Sequence, residues 1–127
     1  MLFRSGYFGK FLPGRSEDWV FETSGGRITR IGKGGDDCFN MVGISFFRQQ
    51  DAAKIAMAVR DAAQKPENFQ LFWDDVVDRL VKDGLDLVIH EVRPGEIVEC
   101  DTVQELESLE ASLKAKAGRA VAGAKQP

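Results

Sequence analysis

Glu99 and Asp101 are two residues apart at the end of a stretch, Glu96 to Cys100, that reads as a strand. On an extended strand end this spacing places both carboxylates on one face. The end of a strand before a helix is a favoured ligand position in α/β proteins. Two other roles stay open: Asp101 as the cap of the following helix, a position for which Thr102 competes, or a solvated edge. Trp73 and Asp74 form the second group of interest. Trp73 opens an apolar stripe with Val76, Val77 and Leu80, and Asp74 and Asp75 fall in a helical first turn, where carboxylates favour the positive end of the dipole. Lys33 lies in Gly32-Lys33-Gly34-Gly35-Asp36-Asp37, which has neither phosphate-loop spacing nor strand-to-helix context and reads as a flexible loop. His90 has no positioned partner, and no Ser/His/Asp arrangement or zinc spacing is present.

The elements that must position these residues follow from periodicity. Trp19 to Thr23 and Arg27 to Ile31 are strand candidates joined at Ser24-Gly25-Gly26, where glycine reaches the positive φ of a tight hairpin. Met41 to Phe47 is uncharged on both faces and reads as the most buried strand, with Phe46 and Phe47 in the core; Gly43 leaves room for a close neighbour or a ligand. Ala52, Ala53, Ile55, Ala56, Val59, Ala62 and Ala63 repeat at three and four, which predicts a helix over 51–64 with a narrow face suited to close packing. A second helix is predicted over 73–81, ended by Lys82-Asp83-Gly84. Leu85 to Val92 and Glu96 to Cys100 read as a hairpin around Arg93-Pro94-Gly95-Glu96. Thr102 to Glu105 matches a capping box, with a helix over 103–113 behind it.

The 127 residues make one domain at most, or a piece of a larger one. With 43% apolar and 29% charged residues the composition is globular rather than that of a disordered chain. Residues 1–15 read as irregular. Within them Leu2-Phe3-Arg4-Ser5 is either a frayed terminus or an artefactual segment, the latter implying a chain truncated at its N-terminus. Residues 16–113 form the folded part, and the Ala/Gly/Lys-rich tail, 114–127, reads as disordered. All four charged residues of that tail are basic; without them 13 basic residues face 20 acidic ones. An anionic substrate then needs a local basic group or a metal ion, and nucleic acid is a poor partner. No apolar run approaches the roughly 20 residues that span a bilayer, and no secretory signal is visible. Cys38 and Cys100 match no C-x-x-C pattern and read as reduced thiols of a cytoplasmic protein, Cys100 as a small core residue.

Three segments occur in order: Asn40 to Phe47, Phe72-Trp73-Asp74-Asp75-Val76-Val77, and Ile97 to Leu106. Together they resemble the C-terminal half of a sugar-phosphate-type nucleotidyltransferase, and most of all the bacterial choline-phosphate cytidylyltransferase branch. That branch has a W-D-[DN]-x-V helix start and an acidic strand end of the form E-x-D-[ST]-x-x-[DE]-L, here Glu99 to Leu106. The resemblance covers residues 19–113 and implies a partial Rossmann-like α/β fold, a mixed sheet with flanking helices. It implies cytidylyl transfer from CTP to phosphocholine with Mg²⁺ and release of pyrophosphate. By resemblance Glu99 and Asp101 are the metal-side carboxylates, and Trp73 with Asp74 lies at the acceptor pocket. A quaternary ammonium cannot donate a hydrogen bond and is held by aromatic faces, often beside carboxylates, which suits that pair. The glycine-rich nucleotide loop of the family has no counterpart here, so this chain alone is not expected to complete the reaction. Two other readings are a fragment acting on a sugar 1-phosphate and a non-catalytic α/β protein-interaction module.

Overall fold

The computed structural model describes residues 3–124. They divide into two compact units, Met1–Pro94 and Gly95–Pro127. The first holds strands β1 (Gly6–Ser24) and β2 (Arg27–Phe46), helix α1 (Gln49–Ala63), a short 3₁₀ turn at Pro66–Asn68, helix α2 (Trp73–Lys82) and strand β3 (Val88–Glu91). The second holds helix α3 (Val103–Ala124). The fold class is the expected one: α/β, a mixed sheet with flanking helices.

β1 and β2 form one long antiparallel hairpin. Its two-residue turn has Gly25 at φ 59° and Gly26 at φ 81°, the double positive φ that such a loop demands. Both strands bend. Gly14 at φ 86° breaks β1, Gly34 at φ 82° breaks β2, and the Gly14 N–H donates to Asp37 Oδ1 at 2.7 Å across the bend. The bent arms then pair twice: Val20 faces both Gly32 and Asn40, and Phe21 faces both Ile31 and Phe39. β3 closes the circuit. It runs parallel to Gly6–Gly9 on one side, while on the other Ile28 N–H donates to the Leu87 carbonyl at 2.8 Å and Ile89 N–H to the Gly26 carbonyl at 3.0 Å. Tyr7, Phe21, Ile28, Ile31, Ile55, Val77, Val81 and Leu87 fill the core beneath α2 and α1.

Several expectations are corrected. The segment read as irregular is strand from Gly6 onward, and Ser5, Gly6 and Tyr7 are buried. Phe3 packs edge-on against Phe46, and Arg4 pairs with Asp86 at 2.8 Å; Met1 and Leu2 lie outside the described residues. Residues 32–37 are not a loop but continue β2, because glycines at positive φ let the paired strands bend, with shifts in register, and continue. The stretch expected to be most buried is largely exposed, with Ile44 at 44% and Phe46 at 40%. Burial in β2 falls instead at Ile28, Ile31, Gly34, Gly35 and Asn40. Gly43 has open space around it, and its φ of 83° is what requires glycine. The alanines of α1 are mostly exposed, and Ile55 alone on that helix is buried.

Residues 96–100 do not form a strand. The Pro94-Gly95-Glu96 turn is present, but both edges of β3 are already occupied by β1 and by the start of β2, so no edge is left for a hairpin partner. The tail read as disordered is helical as far as Ala124, while 125–127 lie outside the described residues. Ala, Lys and Arg are strong helix formers, and Glu110 pairs with Lys114 at 3.0 Å one turn on. Propensity rather than burial holds that extension. Among the described residues no helix is long and apolar enough to cross a membrane.

The closest backbone approach in the sheet is at Gly6, where an added Cβ would run into the Val88 carbonyl group. Gly6→Ala must push β3 away from β1. A loss of about 1–3 kcal/mol is expected, the range for overpacking a tight site, read as a lower denaturant midpoint at unchanged m-value.

Candidate functional site

The N-terminal end of α2 gathers aromatic rings around one buried acid. Asp74 is only 8% exposed, and its Oδ1 accepts a 2.8 Å hydrogen bond from the Tyr7 hydroxyl. Tyr7 is a core residue of β1, so the strand reaches into the helix start and fixes the carboxylate. Trp73 stacks on Tyr7 with centroids 6.1 Å apart and planes 15° apart, and Phe47 stands edge-on to both rings. Although Trp73 opens the apolar stripe of α2, it remains 44% exposed. Asp75 is engaged locally, where its Oδ2 accepts the Phe72 N–H at 2.9 Å.

A second aromatic pair adjoins the first. Phe72, the residue before α2, meets Trp19 of β1 edge-on at 5.7 Å. Lys33 is the register partner of Trp19, and its Nζ lies 5.7 Å from the Trp19 ring centroid and 5.2 Å from that of Phe72. Tyr7, Trp19 and Phe72 were not among the site residues expected from sequence. Counting outward from the two-residue turn, with allowance for one bulge, sets Lys33 against Trp19 and would have found that pair; nothing local marks Tyr7.

Burial pushes the Asp74 carboxyl above its ordinary range. The Tyr7 hydrogen bond opposes this, and the neighbouring Asp75 adds to it. Burial first, and then the Asp74 carboxylate, hold the Tyr7 phenol far above its usual value, so it stays protonated and donates.

Glu99 and Asp101 belong to the second unit, and Trp73 and Asp74 to the first. Glu99 and Asp101 are exposed and lie on no strand, so the shared face expected from i, i+2 spacing has no strand geometry behind it. The capping question is settled in favour of Thr102. Its Oγ1 accepts the Glu105 N–H at 3.1 Å, while Glu105 Oε2 accepts the Asp101 N–H at 2.9 Å. The Asp101 side chain is therefore not the cap. Glu99 borders an open groove of about 490 Å³ with Val98, Gln104, Ser108 and Leu109. Among the described residues no group of three or more His, Cys, Asp or Glu side chains is arranged to hold a metal ion. Two carboxylates still match the donor set that Mg²⁺ takes when substrate phosphates and water complete its shell.

The remaining candidates are structural. His90 stacks on Phe3 at 4.2 Å, and its Nε2 lies 2.8 Å from the Arg4 carbonyl oxygen, an acceptor only, so that nitrogen carries the proton. Cys38 and Cys100 are free and half-buried.

No protein-family model matches the chain. It is 47% identical over 104 residues to a 2-aminoethylphosphonate cytidylyltransferase of Lancefieldella rimae, covering 81% of this chain and 42% of that protein. It is 27% identical over 126 residues to a choline-phosphate cytidylyltransferase of Streptococcus pneumoniae, covering 89% and 49%. Among solved structures, the CTP:phosphocholine cytidylyltransferase of Streptococcus pneumoniae superposes with a TM-score of 0.71 at 27% identity, over 88% of this chain and 49% of that one. The chain is thus similar in sequence to these cytidylyltransferases and shares the α/β fold of the solved one over the part it matches, and it spans somewhat under half the length of these relatives.

The raised Asp74 carboxyl leaves a signature in stability. The folded protein holds that proton more tightly than the unfolded chain, so the contribution is present below the ordinary value of 3.8 and is lost as pH rises through the folded value. Asp74→Asn keeps an oxygen for the Tyr7 hydroxyl but has no proton to lose. The melting temperature of the variant minus that of the parent should climb as pH is raised from below 3.8 through the folded value, then level off. Melts at a series of pH values check this; a flat or falling difference contradicts it.

Proposed function

We propose that this chain forms the acceptor-side part of a CTP-dependent cytidylyltransferase whose acceptor carries an ammonium group joined through two carbons to a phosphorus acid. Phosphocholine and 2-aminoethylphosphonate both have that chemistry. The observation that carries the reading is Trp73: a half-exposed ring stacked on Tyr7, above a buried carboxylate bonded to the same tyrosine. Trp19 and Phe72 extend the aromatic surface. An ammonium ion is attracted to such ring faces. It also relieves the cost of keeping Asp74 charged, since an opposite charge favours the ionised form. A sugar phosphate would instead need polar donors and acceptors for its hydroxyls.

In the reaction, an oxygen of the acceptor's phosphorus acid attacks the α-phosphorus of CTP. A new P–O bond forms, the bond from that phosphorus to its bridging oxygen breaks, and pyrophosphate leaves with the electron pair. Both reactants are anionic. A hard cation would supply the charge neutralisation that lets them approach, and Glu99 and Asp101 carry the oxygen donors that Mg²⁺ takes. Trp73, Trp19 and Phe72 hold the cationic end of the acceptor, and Asp74 acts on it through its field, pinned by Tyr7. Orientation of one reactant is what this part of the enzyme contributes.

Calorimetric titration of the chain with three ligands tests the reading. Phosphocholine and 2-aminoethylphosphonate should bind, and glucose 1-phosphate should bind far more weakly. Trp73→Leu should weaken both ammonium ligands by about 3- to 30-fold, the span of a cation–π contact from exposed to desolvated. Which of the two binds more tightly identifies the acceptor, while equal binding of the sugar phosphate would refute the aromatic reading.

The carboxylates are tested apart from the rings. Mg²⁺ alone should bind the parent chain in a calorimetric titration. Asp101→Asn should bind it about tenfold more weakly, ~1.4 kcal/mol, since an amide is a weaker donor to a hard cation. Because Thr102 keeps the cap, stability should stay within about 0.5 kcal/mol of the parent. Unchanged Mg²⁺ affinity in both this variant and Glu99→Gln would remove the metal role from the pair.

A further inference from the structure

Among the described residues Lys33 is the one cation placed over two of these rings. Strand register sets it opposite Trp19, and Phe72 reaches it from the start of α2, so three elements converge on one ammonium group. In a chain with 20 acidic residues, no carboxylate pairs with Lys33 among the described residues. Its charge is satisfied by ring faces at 5.2 and 5.7 Å and by solvent. Both distances are within the range of a cation–π contact.

We infer that the Lys33 ammonium is a resident cation occupying the Trp19–Phe72 cleft, and that an ammonium-bearing ligand must displace it to use those rings. The inference rests on the reading of the aromatic group as the ammonium site. Two positive charges cannot share one ring cleft without repulsion. Lysine can leave it readily, because its four-carbon stem is flexible and its ammonium is strongly hydrated once free. A quaternary ammonium is weakly hydrated by comparison and gains more from the rings. The exchange therefore favours organic cations over small inorganic ones, and Lys33 sets the level that a ligand must exceed.

The rival account is that Lys33 is a cross-strand clamp that merely holds Trp19 in place. The two accounts predict opposite signs. Removing a competitor tightens ligand binding, whereas removing a clamp weakens it or leaves it alone. The probe is tetramethylammonium chloride, titrated into the whole chain against sodium chloride at matched ionic strength, with tryptophan fluorescence as the readout. Trp19 and Trp73 are the chain's two tryptophans. Lys33→Gln and Lys33→Met should each bind tetramethylammonium about two- to fivefold more tightly than the parent, the equivalent of one exposed cation–π contact. Lys33→Arg, which keeps a cation over the rings, should bind no more tightly than the parent. Equal or weaker binding by both neutral variants, with the parent still binding, overturns the resident-cation inference alone. Absence of binding by the parent and every variant overturns the aromatic reading and this inference with it.

Discussion

The double pairing of β3 is the constraint on which the rest depends. Four residues, Val88–Glu91, are wedged between the start of β1 and the start of β2, and hydrogen bonds on both sides convert a hairpin into a closed circuit. Closure removes the exposed edges that a short sheet would otherwise present. It also fixes the height of Tyr7, one residue beyond the glycine that touches β3. From there the phenol meets Asp74 in the first turn of α2. The ring on which Trp73 stacks is thus set by the pairing of β1 with β3.

The acid at the centre is held in an uneasy state. Burial disfavours its charge and a single phenolic hydrogen bond returns part of the cost. Structural acids usually settle beside a cation, yet the lysine within reach of the neighbouring rings has taken the rings instead. A negative charge that the fold tolerates without neutralising is useful where a positive ligand is to be drawn in. The second unit shows the converse arrangement. Thr102 and Glu105 satisfy the helix start between them, so Asp101 is released from any structural duty.

Elements defined by local chemistry were legible in the sequence. The Gly25-Gly26 turn, the helices around Ile55 and Val77, and the Thr102 cap each follow from a handful of neighbouring residues. What could not be read was pairing between distant segments. Residues 96–100 have a strand-like pattern, but whether they pair depends on β3 having a free edge, and that is decided by Gly6 and Gly26. Residues 1–15 looked broken by glycine and proline, though one of those glycines supplies the bend that lets β1 pair twice. Ile44 and Phe46 are apolar without being covered, because apolarity states a demand for a covering layer and not its presence. Trp73 and Asp74 were found as a pair, but Tyr7, which gives them their geometry, is 66 and 67 positions away and carries no local mark.

The twice-paired hairpin has a consequence for how the domain comes apart. In an ordinary hairpin, fraying starts at the open end and travels toward the turn one rung at a time. Here Val20 and Phe21 are bonded on both flanks by the two arms of the same strand, so losing either arm exposes the other. Partial opening therefore has no inexpensive intermediate at these two residues, and their amides fall in the protected class. Trp19 directly precedes them in β1. One wall of the ring cleft thus adjoins the doubly paired segment of the sheet, while the other, Phe72, sits at a helix start. Breathing of the cleft is then one-sided: the helix end moves, and the strand supplies a fixed reference against which it closes.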